Sequence, residues 1–176
     1  MSDLNVVFVP SRKLKEKSRD VTTDEFGEEL HGRMMKMSER MYKLGGVGIS
    51  GVQLGDMRRI LVFDPQDDQT GLVKMVNPVI IEKSEDEIIQ FSESCISFPD
   101  FETDVDRYRV VKVQYYDANG QMHLSEFDGV NSVIVQHEMD HLEGVTILDK
   151  VSRLKRDIYL RKVKKLMKKL KRLRAN

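Results

Sequence analysis

The stretch SVIVQHEMDHLEG, Ser132 to Gly144, predicts the helix around which this chain folds. Within it, the residues from His137 to His141 read HExxH. Residues four apart on an α-helix lie on the same face about one turn apart, so both imidazoles can point at one metal ion. The stretch therefore offers two metal ligands, His137 and His141, and the site needs a third from elsewhere in the chain.

The third ligand does not lie where zinc proteases have it. In metzincins it is a histidine six residues beyond the second histidine of the motif, and that position here is Ile147. Thermolysin-like enzymes use a glutamate further downstream, and no glutamate occurs after Glu143. Both protease patterns fail, so the ligand must lie upstream of the helix.

Upstream, the candidate ligands are Cys95, His31, His123 and several carboxylates. A thiolate binds zinc or ferrous iron strongly, and Cys95 follows the apolar segment Ile88 to Phe91, where a chain can turn past a site. His31 falls on the polar side of a predicted helix, and His123 falls in a predicted hairpin strand. We therefore predict Cys95 as the third ligand, against the alternative of a small buried hydrophobe, and expect water in the fourth position, as in a catalytic site.

Length and composition indicate one soluble domain. The chain has 176 residues, of which 40% are hydrophobic and 33% charged. No apolar run approaches the roughly 18 residues that a membrane span requires, and no secretory signal is visible. The single cysteine excludes an internal disulfide and suits a reducing compartment. We expect a cytoplasmic protein with neither a membrane nor DNA as a partner.

The N-terminal part predicts one strand and one amphipathic helix. Val6 to Val9, stopped by Pro10, is a candidate strand. A helix is predicted to begin after Thr22 or Thr23, because Thr22 to Glu25 has the shape of a capping box. Its apolar residues recur at steps of three and four until Gly45-Gly46 ends the helix. They are Phe26, Leu30, Met34, Met37, Met41 and Leu44.

The remainder predicts an α+β fold in which mixed or antiparallel sheets of short strands pack around the central HExxH helix. The candidate strands are Ile60 to Phe63, Leu72 to Val76, Val79 to Ile81, Ile88 to Phe91, Val110 to Tyr116 and Met122 to Phe127. Asp117 to Gly120 looks like a hairpin turn. The central helix should begin near Asp128-Gly129 and stop near Gly144, and a basic C-terminal helix should occupy roughly Ser152 to Leu173.

Gly46 to Gly51 spells G-x-G-x-x-G, the dinucleotide-binding pattern. That pattern needs a strand before it and a helix opening at its last glycine. Here a predicted helix precedes it and a predicted strand follows it. We therefore expect a loop whose glycines let the backbone come close to something else.

Three ordered motifs together resemble peptide deformylase. The family carries a G-x-G-L-A-A-x-Q loop, an E-G-C-L-S strand end and a Q-H-E-x-D-H helix, which here read GVGISGVQ (46–53), ESCIS (93–97) and QHEMDH (136–141). The resemblance covers essentially Val6 to Asp149. Ser50-Gly51 replaces two alanines, Ser94 replaces a glycine, and isoleucine replaces leucine at positions 49 and 96.

The resemblance implies that the protein removes the formyl group from the N-terminal methionine of new polypeptides and releases formate. The residues themselves suit this chemistry, because a metal on Cys95, His137 and His141 lowers the pKa of water and Glu138 is placed to take its proton. By similarity, the Gln53 amide and the Ile96 backbone N–H stabilise the oxyanion. One divalent metal is expected per chain. Mixed sulfur and nitrogen ligation tolerates Zn, Fe, Ni or Co, and only the resemblance favours Fe(II).

Substrate recognition should combine backbone contacts with one apolar pocket. The loop residues Gly46, Val47 and Gly48 can run beside the peptide like an added strand. Val133 and Ile134 lie one turn before His137 and can form one wall of a methionine pocket, with Val47 and Phe91 opposite. The alternative for each apolar residue is a place in the core.

Two further interactions are expected around the site, and for each the alternative is an exposed charge without a role in the site. Asp140 either orients a ligand imidazole or is an exposed helix carboxylate. Glu93 either pairs with Arg107 behind the site, or both are solvated charges.

Charge is divided between two regions, which we take as a catalytic domain at residues 1–150 and a basic extension at 151–176. From Lys150 to Asn176 there are 13 Lys and Arg residues and one acid, a net charge of +12, so the other 149 residues carry −12. Tyr159, Val163, Leu166, Leu170 and Leu173 form one apolar stripe on the tail helix. We predict that Ser152 to Asn176 anchors the enzyme on the ribosome through rRNA and ribosomal protein, as a basic C-terminal helix does in some family members. The alternative is a solvated helix that packs its stripe on the body.

Two other classes of function remain open from the sequence. A metallopeptidase or amidase can use the same metal site on a different acyl group. A ribosome- or RNA-binding module can hold a structural metal and act through its basic tail, and in that class Glu138 has no chemical role.

Overall fold

The HExxH stretch forms a helix, as the sequence predicts, and this helix is buried on nearly all sides. Helix α2 spans Gly129–Leu142, follows Asp128 as its N-cap, and ends before Gly144, whose φ is +70°. Ten of its residues are buried, polar and apolar alike. A helix with so little solvated surface must lie between other elements, and α2 lies against strands of both sheets.

The computed structural model describes residues 4–67 and 70–174. The other α-helices in those ranges are α1 (Glu28–Lys43) and α3 (Arg153–Arg174). The strands are β1 (Gly48–Ser50), β2 (Ile60–Phe63), β3 (Val73–Lys83), β4 (Ile88–Cys95), β5 (Phe98–Tyr108), β6 (Val110–Tyr116) and β7 (Met122–Asp128). Short 3₁₀-helices cover Arg12–Lys15, Thr23–Glu25, Gly51–Leu54 and Ile147–Asp149.

The strands form two antiparallel sheets, which confirms the α+β prediction. One sheet has five strands in the order β1-β2-β3-β6-β7, and the other is the hairpin β4-β5. Strands β6 and β7 pair from Val110↔Asp128 to Tyr116↔Met122. The predicted hairpin turn joins them, with Gly120 at φ +82° and its N–H 3.1 Å from the Asp117 carbonyl oxygen.

Strand β5 has no counterpart in the sequence prediction. Its burial alternates along Phe101 to Arg107, with Phe101, Thr103, Val105 and Arg107 inside and carboxylates outside. The alternation is that of a half-buried strand, but a proline and four acidic residues make the segment look like a loop. The three-residue strand β1 is also unpredicted, and the two segments predicted around Asn77-Pro78 form one bulged strand, β3.

The predicted strand at Val6 to Val9 is wrong. These residues are assigned to no strand, although the Val7 N–H donates to the Gln53 carbonyl at 2.8 Å and the Val9 N–H to the Ser97 carbonyl at 3.0 Å. The two bonds go to different parts of the chain, so no ladder forms. The segment instead ties the loop of Gln53 to the loop of Ser97.

The predicted start of the first helix is also wrong. The capping box at Thr22 and Glu25 is present, but it closes only the 3₁₀-helix Thr23–Glu25. Gly27 then has a φ of +118°, which is not helical, so α1 begins only at Glu28. The stripe itself is confirmed in α1, where Leu30, Met34, Met37 and Met41 are all fully buried. The sequence therefore locates the helix correctly but not its first turn.

Helix α3 packs only its first half against the body. Tyr159 is buried, its ring centroid lies 4.6 Å from that of Phe101, and its hydroxyl donates to the Pro99 carbonyl at 2.9 Å. Leu166, Leu170 and Leu173 are 53%, 47% and 65% exposed. The predicted apolar stripe is thus used near Tyr159 and left open beyond Val163. Within the described ranges, no helix is both long enough and apolar enough to cross a bilayer.

Candidate active site

Three elements bring the predicted metal ligands together. Helix α2 places His137 and His141 one turn apart, with ring centroids separated by 5.1 Å. Strand β4 ends at Cys95, after a register shift between Ser94 and Cys95 in its pairing with β5. The Cys95 Sγ lies 3.3 Å from the His141 Nε2, and one ligand atom from each of the three residues falls within a 4.8 Å cluster.

The three residues fit a divalent cation. One sulfur and two imidazole nitrogens form a soft to borderline donor set, of the kind that binds zinc or ferrous iron. All three are nearly buried, at 9%, 8% and 1% exposure for Cys95, His137 and His141. Three ligands leave a fourth tetrahedral position, which is the pattern of a catalytic site.

A buried ion-pair network orients His137. Its Nδ1 lies 2.7 Å from the Glu93 Oε2, and Arg107 holds Glu93 in a bidentate pair at 2.6 and 2.9 Å. Burial alone would raise the pKa of Glu93, but hydrogen bonds with Arg107 and His137 bring it down to about 2. Glu93 is therefore an anion. It occupies the Nδ1 side of the His137 ring and leaves the Nε2 of the same ring free for a metal.

The expected pairing of Glu93 with Arg107 is confirmed, and Asp140 is neither a direct partner of a ligand imidazole nor a fully exposed carboxylate. The Asp140 Oδ2 accepts from the Arg107 Nη1 at 2.6 Å and forms an ion pair with the Lys150 Nζ at 3.0 Å. It thus reaches His137 only indirectly, through Arg107 and Glu93. The direct partner of the His137 imidazole is Glu93 on β4.

Glu138 lies in the same cleft, next to the glycine loop. It is 4% exposed, and its Oε2 has no hydrogen-bond partner among the described residues. Burial raises the pKa of Glu138 to about 7, against the opposing influence of His137 and the Ser50 hydroxyl. A carboxylate in this state can exchange a proton near neutral pH.

Gln53 is held so that its amide nitrogen faces the cleft. Its Oε1 accepts from the Ser50 N–H at 2.8 Å and from the Ser50 Oγ at 2.9 Å. Its Nε2 lies 3.4 Å from the Cys95 Sγ. These bonds close a capping box on the 3₁₀-helix Gly51–Leu54. The amide therefore presents hydrogen-bond donors beside the predicted metal ligands.

The cleft has a volume of about 460 Å³ and contains nearly all of the predicted site residues. It is lined by Gly46, Val47, Gly48, Gln53, Phe91, Cys95, Ile96, Val133, Ile134, His137 and Glu138. Leu44, Gly45, Ser92, Glu93, Ser94 and Pro99 complete the lining. His141 is absent from it because this residue lies behind the cleft, at 1% exposure.

The glycines of the loop are needed for close approach, as the sequence predicts. A Cβ on Gly46 would lie 2.5 Å from the Ile96 Cδ1, and a Cβ on Gly48 would lie 2.7 Å from the Glu138 Oε1. The loop therefore packs closely against Ile96 and Glu138 of the cleft. The apolar candidates divide into two kinds, with Val47 and Phe91 about two-fifths exposed and Val133 and Ile134 buried in the wall.

Ser50 is a residue at this site that the sequence marks only as a replacement for an alanine, with no role assigned to it. It lies at the end of β1, is fully buried, and makes both bonds to the Gln53 oxygen. A signal was present, since Ser50 and Gln53 have the S-x-x-Q spacing of a capping box. Lining residues such as Leu44 and Pro99 carry no local signal for a place at the site, because they meet the cleft only through the fold.

Comparisons with known proteins agree on one family. The model of the family described as polypeptide deformylase matches residues 4–157. The chain is 40% identical over 173 residues to peptide deformylase 1 of Rickettsia conorii, covering 94% of this chain and 97% of that protein. Among solved structures, it is similar to the peptide deformylase of Ehrlichia chaffeensis, with 30% identity, a TM-score of 0.86, and coverage of 96% and 98%. It is also similar to the peptide deformylase of Synechococcus elongatus in complex with actinonin, with 31% identity, a TM-score of 0.82, and coverage of 90% and 86%.

Proposed function

The chain belongs to the peptide deformylase family, and on this premise we propose that Cys95, His137 and His141 hold its catalytic metal and that Glu138 is its general base. The protein is a metallohydrolase that removes the N-formyl group from newly synthesised polypeptides. The observation that supports this assignment of roles is the convergence of the three ligand atoms within 4.8 Å in one cleft that also contains Glu138.

The proposed reaction divides its tasks between the metal and this chain's own residues. Cys95, His137 and His141 would hold a divalent cation, which would supply Lewis-acid chemistry by lowering the pKa of water at the site. Glu138 accepts the proton of the attacking water and returns it to the amine of the departing methionine, so that formate and a free N-terminus result. The site suits this transfer because the Glu138 Oε2 is buried without a hydrogen-bond partner in the described part of the chain.

Two donors are proposed to stabilise the oxyanion that forms on the formyl oxygen. The Gln53 Nε2 is one, since it already faces the sulfur of Cys95 at 3.4 Å. The backbone N–H of Ile96 is the other, one residue beyond that ligand and in the lining of the cleft. Removal of one such donor typically raises the barrier by about 3 to 4 kcal/mol.

The proposed substrate is the formyl-methionine end of a nascent peptide. Gly46, Val47 and Gly48 offer backbone groups for strand-like pairing with the peptide, which recognises no particular sequence. Val133, Ile134 and Phe91 supply the apolar wall for the methionine side chain. The exposed fractions of Val47 and Phe91, 41% and 38%, suit residues that a substrate covers.

Replacement of the proposed base tests the mechanism. We expect Glu138→Ala to retain one metal per chain and to lose at least about a hundredfold in kcat on a formyl-methionyl peptide, because a general base is lost and no ligand is. Turnover and metal content are measured together on protein purified without oxygen. Wild-type activity of the variant, or cleavage of internal peptide bonds only, would contradict the proposal.

The same metal analysis tests which cation is native. We propose Fe(II), a preference that rests on the family resemblance, whereas the donor set itself accepts Zn, Ni or Co as well. Iron at about one per chain and loss of activity in air are the expected results. Zinc at one per chain, with full activity after long aeration, would overturn this preference.

For the tail we propose a docking role on the ribosome, with residues 1–150 as the catalytic domain, residues 151–176 as a basic extension, and the cytoplasm as the location. The exposed part of α3 beyond Val163 supports this role, because lysines alternate there with the open apolar residues Leu166 and Leu170. The charges suit rRNA phosphates and the apolar residues suit ribosomal protein. Each phosphate that is neutralised releases condensed counterions, so this binding should weaken steeply with salt.

A further inference from the structure

Ser50 makes a paired contact with one atom of Gln53. The backbone N–H of Ser50 lies 2.8 Å from the Gln53 Oε1, and its hydroxyl oxygen lies 2.9 Å from the same atom. Both residues are fully buried. An amide oxygen has two lone pairs, so these two donors satisfy it completely.

This contact determines which way the Gln53 amide faces. A backbone N–H can only donate, so turning the amide over would place the Nε2 hydrogens against the Ser50 N–H at the same distance of about 2.8 Å. With the oxygen held at Ser50, the Nε2 points to the opposite side, where the Cys95 Sγ lies at 3.4 Å. An amide nitrogen carries two hydrogens, so one remains available for an oxygen in the cleft.

We propose that Ser50 is a positioning residue for deformylation, whose hydroxyl locks the Gln53 amide with its N–H groups toward the reacting formyl oxygen. The proposal rests on the proposed role of Gln53 as an oxyanion donor. In the family pattern that the sequence resembles, alanine occupies this position and offers only the backbone N–H. The hydroxyl therefore adds a second donor, so that the orientation no longer depends on the backbone N–H alone.

A double-mutant cycle separates this role from a general effect on folding. We expect Ser50→Ala to lower kcat about three- to tenfold, the value of one buried hydrogen bond, with KM within about twofold. Gln53→Ala should lower kcat by about a hundredfold or more. In the Gln53→Ala background, Ser50→Ala should lose most of its effect on kcat, because its main target is gone, and any remainder belongs to the influence of the Ser50 hydroxyl on Glu138.

Thr146 provides a matched control. Its hydroxyl and N–H both contact the Asp149 Oδ2, at 2.8 and 2.7 Å, in the same kind of capping box on a 3₁₀-helix, and it is 3% exposed. Thr146→Val removes an equivalent hydroxyl away from the cleft. We expect it to lower the melting temperature about as much as Ser50→Ala does and to leave kcat unchanged.

A spectroscopic measurement tests the orientation without turnover. In the zinc-loaded protein, the two side-chain amide protons of Gln53, identified by their absence in Gln53→Ala, should give separate and sharp resonances. In zinc-loaded Ser50→Ala they should broaden or shift, and in Thr146→Val they should remain as in wild type.

Each alternative outcome is distinct. If Ser50→Ala causes the same loss with and without Gln53, or leaves both the Gln53 resonances and kcat unchanged, the proposal for Ser50 is overturned while that for Gln53 stands. If Gln53→Ala itself has full activity, both proposals fail together. The deformylase activity of the wild-type protein is measured in the same series and is independent of either result.

Discussion

At the scale of single residues, the site requires a glycine at position 48 as well as the polar side chains that surround it. Gly48 has an ordinary backbone conformation that other residues can adopt. Its importance is space, since a Cβ there would lie 2.7 Å from the Glu138 Oε1 and 3.0 Å from its Cγ. A methyl group at this position must displace the carboxylate proposed as the base.

We therefore predict that Gly48→Ala keeps its metal and loses about a hundredfold in kcat, the usual consequence of misplacing a reacting group by an ångström. Kinetics on a formyl-methionyl peptide and metal analysis measure both effects. Gly32→Ala is the matched control, because a Cβ on Gly32 in α1 meets nothing within 4 Å. This control should retain activity and gain about 0.5 to 1 kcal/mol in free energy of unfolding. Equal kcat for Gly48→Ala and wild type would contradict the steric argument.

At the scale of secondary-structure elements, Asp56 ties α1 to the loop that follows Gln53. Its carboxylate accepts from the Arg33 Nε on α1 at 2.9 Å and from the Arg58 Nε and Nη2 at 3.0 and 2.8 Å. Burial alone would raise the pKa of Asp56, but the hydrogen bonds of Arg58 and the charge of Arg33 outweigh it, so the pKa lies below its ordinary value. The carboxylate is therefore more acidic in the folded protein than in the unfolded chain.

A group with a lowered pKa stabilises the fold at pH values above its unfolded pKa, here about 4, and loses this contribution as the pH falls through its folded pKa. We predict that Asp56→Asn reduces the free energy of unfolding by about 1 to 2 kcal/mol at pH 7, discounted for partial exposure, and by progressively less below pH 4. Urea denaturation at pH 7, 5 and 3 measures the difference. Asp86→Asn, which removes one exposed turn carboxylate, should stay within about 0.5 kcal/mol of wild type. A deficit for Asp56→Asn that is undiminished at pH 3 would refute this account.

At the scale of the whole molecule, charge and burial divide α3 into two parts. Tyr159 belongs to the same apolar cluster as Cys95, Phe98 and Phe101, so the first half of α3 supports the strand and loop that carry a proposed ligand. Beyond Val163 the helix is open and basic. Removal of everything after Lys150 would therefore damage the core as well as any docking surface.

Charge substitution is the sharper test of docking on the ribosome. We predict that neutralising Lys165, Lys168 and Lys169 to glutamine greatly reduces cosedimentation with ribosomes at low salt and leaves turnover of a short formyl-methionyl peptide unchanged. Arg12, Lys13 and Lys36 are exposed cations on the body, and their neutralisation alters the net charge equally. This control should pellet like wild type. Equal pelleting of the tail variant, or no salt-sensitive pelleting of wild type, would leave α3 with a purely structural role.

The sequence alone determined the features that depend on the spacing of residues close together in the chain. The period of three and four gave the stripe of α1, HExxH gave a helix with two imidazoles on one face, and the segment from Val110 to Phe127 gave a hairpin with its turn. Cys95 was found by chemistry and by the absence of other suitable ligands. Such signals can be recognised in a sequence because each involves residues within a few positions of one another.

Only the tertiary structure decided which distant residues meet and which surfaces remain open. Strand β5 was hidden because its exposed face is acidic, and its buried Arg107 is tolerated only where Glu93 from β4 and Asp140 from α2 converge on it. The open half of the tail stripe was equally hidden, since periodicity shows that a helix has an apolar face but not whether anything covers it. The physical reason is that burying a charge or an apolar face is favourable only with its partner in place, and the partners of Arg107 lie 14 and 33 residues away in the sequence.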